Sequence, residues 1–252
     1  MAFSEDLRSR CLLIGNSRWH WAEQTGNSHW VYQHEAAAPE ALEAPSDLLA
    51  WAAVGVIPNN PGLQSSKRLN LSAIPLQGIP PWLGIDRALA GWGAWRANQN
   101  RVGVLVVDAG TVLSLTRISA DGSFSGGLLA AGYGLQLRAM SEATAGLTAT
   151  SPMVLDPKEA ETFPFETKAA MRSGAQQSLV GLIRHAHAQS PLPIWLCGGD
   201  APQLLPKLQE QLGMVVIHAP NLVMEAMVEG LEVFALAMVS ILHKSLLQRQ
   251  SF

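Results

Sequence analysis

The sequence is poor in cysteine, in charge and in long apolar runs, and each shortage excludes a class of protein. Its two cysteines, Cys11 and Cys197, form no CxxC pair, which argues against a disulfide framework or a zinc site. They predict two reduced thiols in or near the core. Charged residues make up 15% of the chain and the net charge is −3, so we expect neither nucleic acid nor an anionic membrane as a partner.

Targeting and membrane signals are missing as well. No window reaches about 18 consecutive apolar residues, which a membrane-spanning helix would need. The segment from Met1 to Arg10 is charged and has no apolar signal-peptide core. The seven histidines show no metal-ligand spacing. We therefore expect a soluble, cytoplasmic protein.

Two common nucleotide-binding motifs are also absent, the P-loop GxxxxGKS and the dinucleotide motif GxGxxG. The chain does have 252 residues, of which 48% are hydrophobic, enough for two compact domains of about 100 to 150 residues each. We predict an N-terminal domain over residues 1–101 and a C-terminal domain over residues 102–252. The hinge is expected at Asn98–Arg101.

A strand that ends in a small-residue turn occurs once in each half. The apolar run Val102–Val107 leads into Asp108-Ala109-Gly110-Thr111, and a second strand follows. Earlier in the chain, Cys11–Ile14 leads into Gly15-Asn16-Ser17, again followed by a strand. Two copies of this strand-turn-strand unit predict an α/β protein made of two duplicated domains with a ligand cleft between them.

A third turn, Gly198-Gly199-Asp200, lies between an apolar strand and a predicted helix. Glycines there would let an adenosine lie against bare backbone, although taken alone they are explained more simply by an ordinary tight turn. Backbone N–H groups of the first two turns are suited to hold nucleotide phosphates without a P-loop lysine. The three turns together favour a nucleotide-binding protein.

Hydrophobic periodicity places the remaining elements around these turns. We predict a hairpin turn at Asp121-Gly122 and, in chain order, these further elements: a strand over Trp51–Pro58, a helix that begins near Gly84, a helix over Leu135–Ala143, a helix from about Lys168 to Ala188, a strand over Ile194–Cys197 followed by a helix, and a long helix over Met224–Leu246.

Three charged side chains are candidates for phosphoryl transfer. Asp86 is a candidate general base and Arg87 a candidate anion-binding residue, while Asp108 is a candidate cation ligand. Each has a structural alternative. Asp86 could cap its helix, Arg87 could form a surface ion pair, and Asp108 could bond its own backbone.

Five motifs, in their order and spacing over nearly the whole chain, resemble those of the type III pantothenate kinases. They are Gly84-Ile85-Asp86-Arg87, Asp108-Ala109-Gly110-Thr111, Gly126-Gly127, Thr144-Ala145-Gly146-Leu147 and Gly198-Gly199-Asp200. The resemblance implies the actin-like, ribonuclease-H-like double domain. It also implies ATP-dependent phosphorylation of pantothenate to 4'-phosphopantothenate, the first step of coenzyme A biosynthesis.

The resemblance further implies roles for single residues. Asp86 would be the general base, and Asp108 would bind a monovalent cation, K⁺ or NH₄⁺, while Mg²⁺ accompanies ATP. Pantothenate would be held by Gly84, Ile85, Asp86, Arg87 and Thr167. ATP would be bound by Gly15, Asn16, Ser17, Arg18, His20, Thr111, Gly198 and Gly199. The family's homodimers imply a homodimer here.

The chain departs from the family pattern at its first turn. The family motif reads DxGNT with a later lysine, whereas this chain has Leu13 at the aspartate position and His20 about where the lysine would fall. Leucine cannot replace a carboxylate near Mg²⁺ and phosphate. A non-catalytic, nucleotide-binding regulator of the same fold is therefore an alternative, as is another small-molecule kinase or a phosphatase of this fold.

Overall fold

Two β-sheets, each in its own unit of the chain, form the framework of the structure. The computed structural model describes residues 9–25, 29–42, 48–98, 102–151 and 162–234. Contacts between residues group the described chain up to Gly93 with the segment from Asn221 onward as one unit, and Ala94–Pro220 as the other. Within the described residues no helix is long and apolar enough to cross a bilayer.

The first unit contains a four-stranded sheet made of β1 (Arg10–Ile14), β2 (Trp19–Thr25), β3 (His29–Glu35) and β4 (Leu48–Ala53). The strand order is β3-β2-β1-β4, with β1 antiparallel to β2 and parallel to β4. Alternate residues of these strands fill a hydrophobic cluster on one face of the sheet, because side chains in a strand alternate between faces. Its buried members are Leu12, Ile14, Trp19, Trp21, Leu42, Leu48 and Trp51.

The last helix and the first part of the first helix pack closely within the first unit. The first helix, α1, spans Ile85–Ala97, and the last, α5, spans Leu222–Glu229 and contacts β1 and β2. A Cβ added to Gly93 would lie 2.7 Å from the Ala226 Cβ, so the missing side chain permits the close approach. Short 3₁₀ turns cover Pro39–Ala41, Ser65–Lys67 and Leu71–Ala73.

The second unit contains a five-stranded sheet in the order β7-β6-β5-β8-β9. Strand β5 is antiparallel to β6 and parallel to β8. The strands are β5 (Val104–Ala109), β6 (Val112–Ile118), β7 (Phe124–Ala131), β8 (Ile194–Cys197) and β9 (Ile217–His218).

Three helices belong to the second unit: α2 (Tyr133–Ala143), α3 (Thr167–Gln189) and α4 (Ala201–Leu212). Their apolar faces pack in one cluster with the sheet, as the amphipathic pattern of each helix requires. Fully or nearly fully buried members include Val107, Leu113, Leu115, Tyr133, Leu137, Leu179, Ile183, Leu196, Leu204 and Leu208.

The predicted duplication is confirmed by the topology of the two sheets. In each, three consecutive strands form an antiparallel meander, and the first of them pairs in parallel with a strand from later in the chain. In each, the first hairpin of the meander carries one of the small-residue turns: Ile14 pairs with Trp19 across the first, and Ala109 with Leu113 across the second. The α/β fold class is therefore correct.

Most predicted elements are present within one or two residues of their predicted bounds, but two differ by more. The strand expected over Trp51–Pro58 is Leu48–Ala53, because the N–H groups of Val54 and Gly55 both donate to the Ile14 carbonyl and the regular ladder ends there. Beyond them Val56 is 92% exposed, which a buried strand would not allow.

The last helix also differs from its prediction. It begins at Leu222 and is interrupted at Gly230, with residues 231–234 helical again, because glycine is a weak helix former. The rest of the span predicted to Leu246 lies outside the described residues.

The grouping of the chain differs from the predicted boundary at residue 101. The contacts change at Gly93, inside α1, and α5 groups with the first unit because it packs on β1 and β2. Of the predicted hinge Asn98–Arg101, Asn98 is largely buried and donates from its side-chain amide to the Val102 carbonyl at 2.9 Å. Its other three residues lie outside the described chain.

Candidate active site

The first small-residue turn, Gly15-Asn16-Ser17, connects β1 to β2 and is called the first turn below. The Gly15 N–H donates to the Arg18 carbonyl at 3.0 Å, which closes the hairpin. A Cβ on Gly15 would lie 2.6 Å from that carbonyl oxygen, so only glycine fits. Asn16, Ser17 and Arg18 are all exposed to solvent.

Gly55 supports the first turn from β4 and was not singled out from the sequence. A Cβ at Gly55 would lie 2.1 Å from the Gly15 carbonyl oxygen. The two backbone segments therefore touch directly, since any larger residue would displace one of them. The sequence signal was a glycine placed just after the apolar strand Leu48–Ala53.

The predicted substrate segment Gly84–Arg87 enters α1 next to this support. A Cβ on Gly84 would lie 3.6 Å from the Val54 side chain, and Val54 is bonded to the first turn's strand through Ile14. The first unit thus brings together the first turn and the segment that carries Asp86. Ile85 is buried, whereas Gly84 and Arg87 are partly exposed.

Asp86 is the second residue of α1, where a carboxylate also interacts favourably with the helix dipole. Its Oδ1 accepts a hydrogen bond from the Arg87 backbone N–H at 2.8 Å. Burial raises the pKa of Asp86, and the Arg87 N–H and guanidinium oppose that rise without cancelling it. A carboxylate with a raised pKa is a stronger proton acceptor once ionised, which suits a general base.

His20 faces the first turn from β2. A Cβ on Gly15 would lie 3.2 Å from His20 Nε2, so this nitrogen points at the turn. Partial burial lowers the His20 pKa to about 4, with further contributions from His34 and Arg18. Leu13 pairs with His20 across β1 and β2 and is buried. The position that carries the family's aspartate is therefore an apolar neighbour of this histidine.

The second turn, Asp108-Ala109-Gly110-Thr111, connects β5 to β6 in the second unit. A Cβ on Gly110 would lie 3.6 Å from Asp108 Oδ1, and one on Gly198 would lie 2.5 Å from the same oxygen. The Asp108 carboxylate thus lies close to two glycines. Thr111 is exposed, and its carbonyl accepts the Gly132 N–H at 3.0 Å.

The third turn, Gly198-Gly199-Asp200, follows β8 and packs against the second. Gly198 has φ +90°, and a Cβ there would lie 2.5 Å from the Ala109 carbonyl, so the protein's own backbone requires this glycine. The Asp200 N–H donates to the Ala109 carbonyl at 2.8 Å. Gly199, by contrast, is exposed with open space beside it, so internal packing does not explain it.

Thr167, the remaining predicted substrate residue, is the exposed first residue of α3. The structure thus groups the predicted residues by unit. Gly15 to His20 and Gly84 to Arg87 belong to the first unit, and Asp108, Thr111, Thr167, Gly198 and Gly199 belong to the second.

A metal ion that arrives with a nucleotide needs few ligands from the protein. Among the described residues no group of three or more His, Cys, Asp or Glu side chains could hold a metal ion. Mg²⁺ is commonly bound through one or two carboxylates together with substrate phosphates and water. Asp108 could supply one such oxygen or bind a monovalent cation.

The fold is that of the actin-like ATPases and sugar kinases. A solved structure with this fold is the activator of 2-hydroxyisocaproyl-CoA dehydratase from Clostridium difficile with bound ADPNP. It matches with a TM-score of 0.53 at 9% sequence identity, covering 94% of this chain and 97% of that chain. At that identity the likeness shows the fold alone.

Sequence relatives identify the family within this fold. A family model described as type III pantothenate kinase matches residues 74–189. The type III pantothenate kinase of Synechococcus elongatus is 31% identical over 257 residues, covering 91% of this chain and 97% of its own. That of Synechococcus sp. strain JA-3-3Ab is 35% identical over 217 residues, covering 82% and 85%. The chain belongs to the type III pantothenate kinase family, as its motifs predicted.

Proposed function

We propose that this chain phosphorylates pantothenate with ATP, the first step of coenzyme A biosynthesis, by direct transfer without a covalent enzyme intermediate. The observation that carries the activity is the family relationship, which spans 91% of the chain at 31% identity. The enzyme is accordingly a phosphotransferase that acts on an alcohol group. ATP and pantothenate are its substrates, and a divalent metal ion accompanies ATP.

Asp86 is the general base in this proposal. Phosphoryl transfer depends mostly on positioning and charge neutralisation, with one group that accepts the proton of the attacking hydroxyl. The raised pKa of Asp86 and its place at the start of α1 beside the first turn support that role. Arg87, the next residue, supplies a positive charge for the carboxylate of pantothenate. Gly84, Ile85 and Thr167 complete the pantothenate-binding set.

ATP binds through the small-residue turns. Backbone N–H groups of the first turn hold its phosphates, with Arg18 and His20 beside that turn. In the second unit, Thr111 is the residue that the family resemblance assigns to ATP. Gly199 leaves an open surface for the adenosine, and Gly198 shapes the turn that presents it. When bound, Mg²⁺ neutralises charge on the phosphates and orients them.

A monovalent cation, K⁺ or NH₄⁺, is assigned to Asp108. The support is a carboxylate near the end of a buried strand, close to two glycines, at the turn that the family resemblance assigns to the cation. The protein is proposed to act as a homodimer in the cytoplasm, where ATP is available. Leu128 and Leu129, 44% and 63% exposed on the edge strand β7, provide apolar surface for a second copy.

A coupled ADP-release assay tests this function. The purified protein is given ATP, Mg²⁺ and pantothenate, with K⁺ or with Na⁺ at equal ionic strength. We expect turnover that requires pantothenate and is faster with K⁺. Asp108→Asn should abolish the difference between the two cations, whereas Asp121→Asn, which changes an exposed turn carboxylate elsewhere, should keep it.

One observation favours a second candidate, a nucleotide-binding regulator without turnover. Leu13 is only 3% exposed and occupies the position of the family's aspartate, so the first turn lacks that carboxylate. If nucleotide raises the melting temperature while neither cation gives pantothenate-dependent ADP release, this candidate replaces the kinase.

A further inference from the structure

Three side chains form a hydrogen-bonded chain that ends at the first turn. His20 Nδ1 lies 2.8 Å from His34 Nδ1, and His34 Nε2 lies 3.0 Å from Asn221 Oδ1. His20 and His34 are direct cross-strand partners on β2 and β3, and Asn221 immediately precedes α5. The other ring nitrogen of His20, Nε2, faces Gly15.

The hydrogen bonds fix which nitrogen carries each proton. An amide oxygen can only accept, so His34 Nε2 donates to Asn221 Oδ1. In a neutral ring the other nitrogen is then an acceptor, so His34 Nδ1 accepts from His20 Nδ1. Neutral His20 therefore directs an unprotonated Nε2, with its lone pair, toward the first turn.

The same arrangement decides where an added proton goes. A proton on His20 Nε2 leaves both hydrogen bonds intact and turns Nε2 into a donor facing the turn. If the proton shared by the two Nδ1 atoms moves to His34, His20 Nδ1 becomes the acceptor and His20 keeps its new Nε2–H. In either state the added proton makes His20 Nε2 a hydrogen-bond donor that faces the first turn.

The surroundings of His20 disfavour its protonated form unless an anion is bound at the first turn. Partial burial, His34 on β3 and Arg18 beside the turn lower the pKa of His20 to about 4. Strand β1 offers only the apolar Leu13 at the paired position. Helix α5, which contacts β2, carries the acidic residues Glu225 and Glu229. Their negative charges raise the pKa of Tyr32, whereas the groups that shift the pKa of His20 are His34 and Arg18. An anion at the turn would supply the missing negative charge directly at Nε2.

We propose that His20 takes up one proton from solvent at Nε2 when nucleotide phosphates bind the first turn, and that His34 and Asn221 are positioning residues that hold it ready to do so. This inference rests on the proposed binding of ATP phosphates at that turn. The proton forms a new N–H, which donates to a phosphate oxygen. The first turn thereby gains a positive charge only when its ligand is present.

Calorimetry measures the proton directly. The probe is the magnesium complex of ADPNP, titrated at pH 7 in Tris and in PIPES, buffers with very different ionisation enthalpies. The difference in heat gives the number of protons taken up. We expect an uptake approaching one proton and an affinity that rises as the pH falls from 8 to 6, by up to about tenfold per unit. His20→Gln should show neither effect.

Two variants of His34 distinguish a role in positioning His20 from a general role in the structure. His34→Ala removes the acceptor for His20 Nδ1–H and should weaken ADPNP binding about three- to tenfold while reducing proton uptake. His34→Gln can still accept through its amide oxygen and should restore part of both. His29→Gln, an exposed histidine at the start of the same strand, should behave as wild type.

An NMR titration of the wild-type protein, with the His20 ring labelled, provides a readout without any substitution. The His20 signal should titrate near pH 4 in the free protein and well above pH 7 in the ADPNP complex. Binding of ADPNP without proton uptake and without this shift overturns the inference and leaves the kinase function intact. Absence of any ADPNP binding, together with no ADP release, overturns the proposed function and the inference with it.

Discussion

Replacing the proposed general base, Asp86→Asn, should separate catalysis from stability. The Asn side-chain oxygen can still accept the Arg87 N–H, which lies 2.8 Å from Asp86 Oδ1, so the start of α1 should be preserved. A positioned general base contributes about 100- to 10,000-fold in rate, equivalent to about 3 to 5 kcal/mol in the activation barrier. We expect kcat to fall by that factor and the KM for pantothenate to change little.

The stability of this variant follows from the direction of the pKa shift. The fold raises the pKa of Asp86 above its ordinary value of 3.8, so folding disfavours the ionised carboxylate. This unfavourable contribution is present above the folded pKa and is relieved as the pH falls through it. Asparagine removes the charge altogether. The melting temperature at pH 7 should therefore be unchanged or slightly higher in the variant.

Steady-state kinetics and thermal melts of both proteins test the two halves of this prediction. The wild-type rate should fall at low pH with an apparent pKa above 3.8, and the residual activity of the variant should lack that acidic limb. An unchanged kcat would remove Asp86 from the proton transfer. A loss of activity accompanied by a melting temperature several degrees lower would mean that Asp86 acts structurally, as a helix cap.

Three further predictions concern packing and burial. Gly55→Ala should destabilise the protein by about 1 to 3 kcal/mol in a denaturant titration and raise the KM for ATP, because the added Cβ would lie 2.1 Å from the backbone of the first turn. Gly181→Ala is the control, because Gly181 has open space around it in α3 and the substitution should stabilise the protein by about 0.4 to 1 kcal/mol. Burial raises the pKa of Cys11 to about 12, so this thiol should resist alkylation at pH 8 until the protein unfolds, and rapid labelling of the native protein would contradict its placement in the core. Leu13→Asp should raise the pKa of His20 in an NMR titration, because the two side chains are cross-strand neighbours and a carboxylate stabilises the protonated imidazole. Leu13→Asn, which adds polarity without charge, should not raise it. Equal shifts in both variants would show that polarity rather than charge is responsible.

The local pattern of the sequence was sufficient for the repeated hairpins. Uninterrupted apolar runs that end at glycine-containing turns predict buried strands, and β1 and β5 are such strands. Both cysteines are buried, as their isolated positions suggested. These properties depend on residues close together in the chain, so a single sequence reveals them.

Contacts between distant segments could not be predicted in the same way. Gly55 contacts the first turn, and Asn221 accepts a hydrogen bond from His34, 187 positions away in the chain. No local sequence pattern predicts either contact. The end of β4 at Ala53 was also missed, because Val54, Val56 and Ile57 continue the apolar run after the ladder has ended. Tertiary hydrogen bonding overrides local propensity at that point.

The roles of Asp86, Arg87 and Asp108 came from a family resemblance combined with residue chemistry. The structure adds the environment of each carboxylate: burial around Asp86, and flanking glycines around Asp108. It also places the departure at Leu13 beside His20, a pairing that only the strand register reveals. Variants of Leu13, His20 and His34 are therefore informative together, because Leu13 pairs with His20 across the strands and His20 is hydrogen-bonded to His34.

The most direct test of the account is detection of the product itself. The protein is incubated with ATP, Mg²⁺, K⁺ and isotopically labelled pantothenate, and the reaction is followed by mass spectrometry. We predict labelled 4'-phosphopantothenate in amounts that exceed the enzyme concentration many times over, and a rate reduced at least about 100-fold in Asp86→Asn. Hydrolysis of ATP with no phosphorylated pantothenate, or the same product yield from both proteins, would contradict the proposed mechanism.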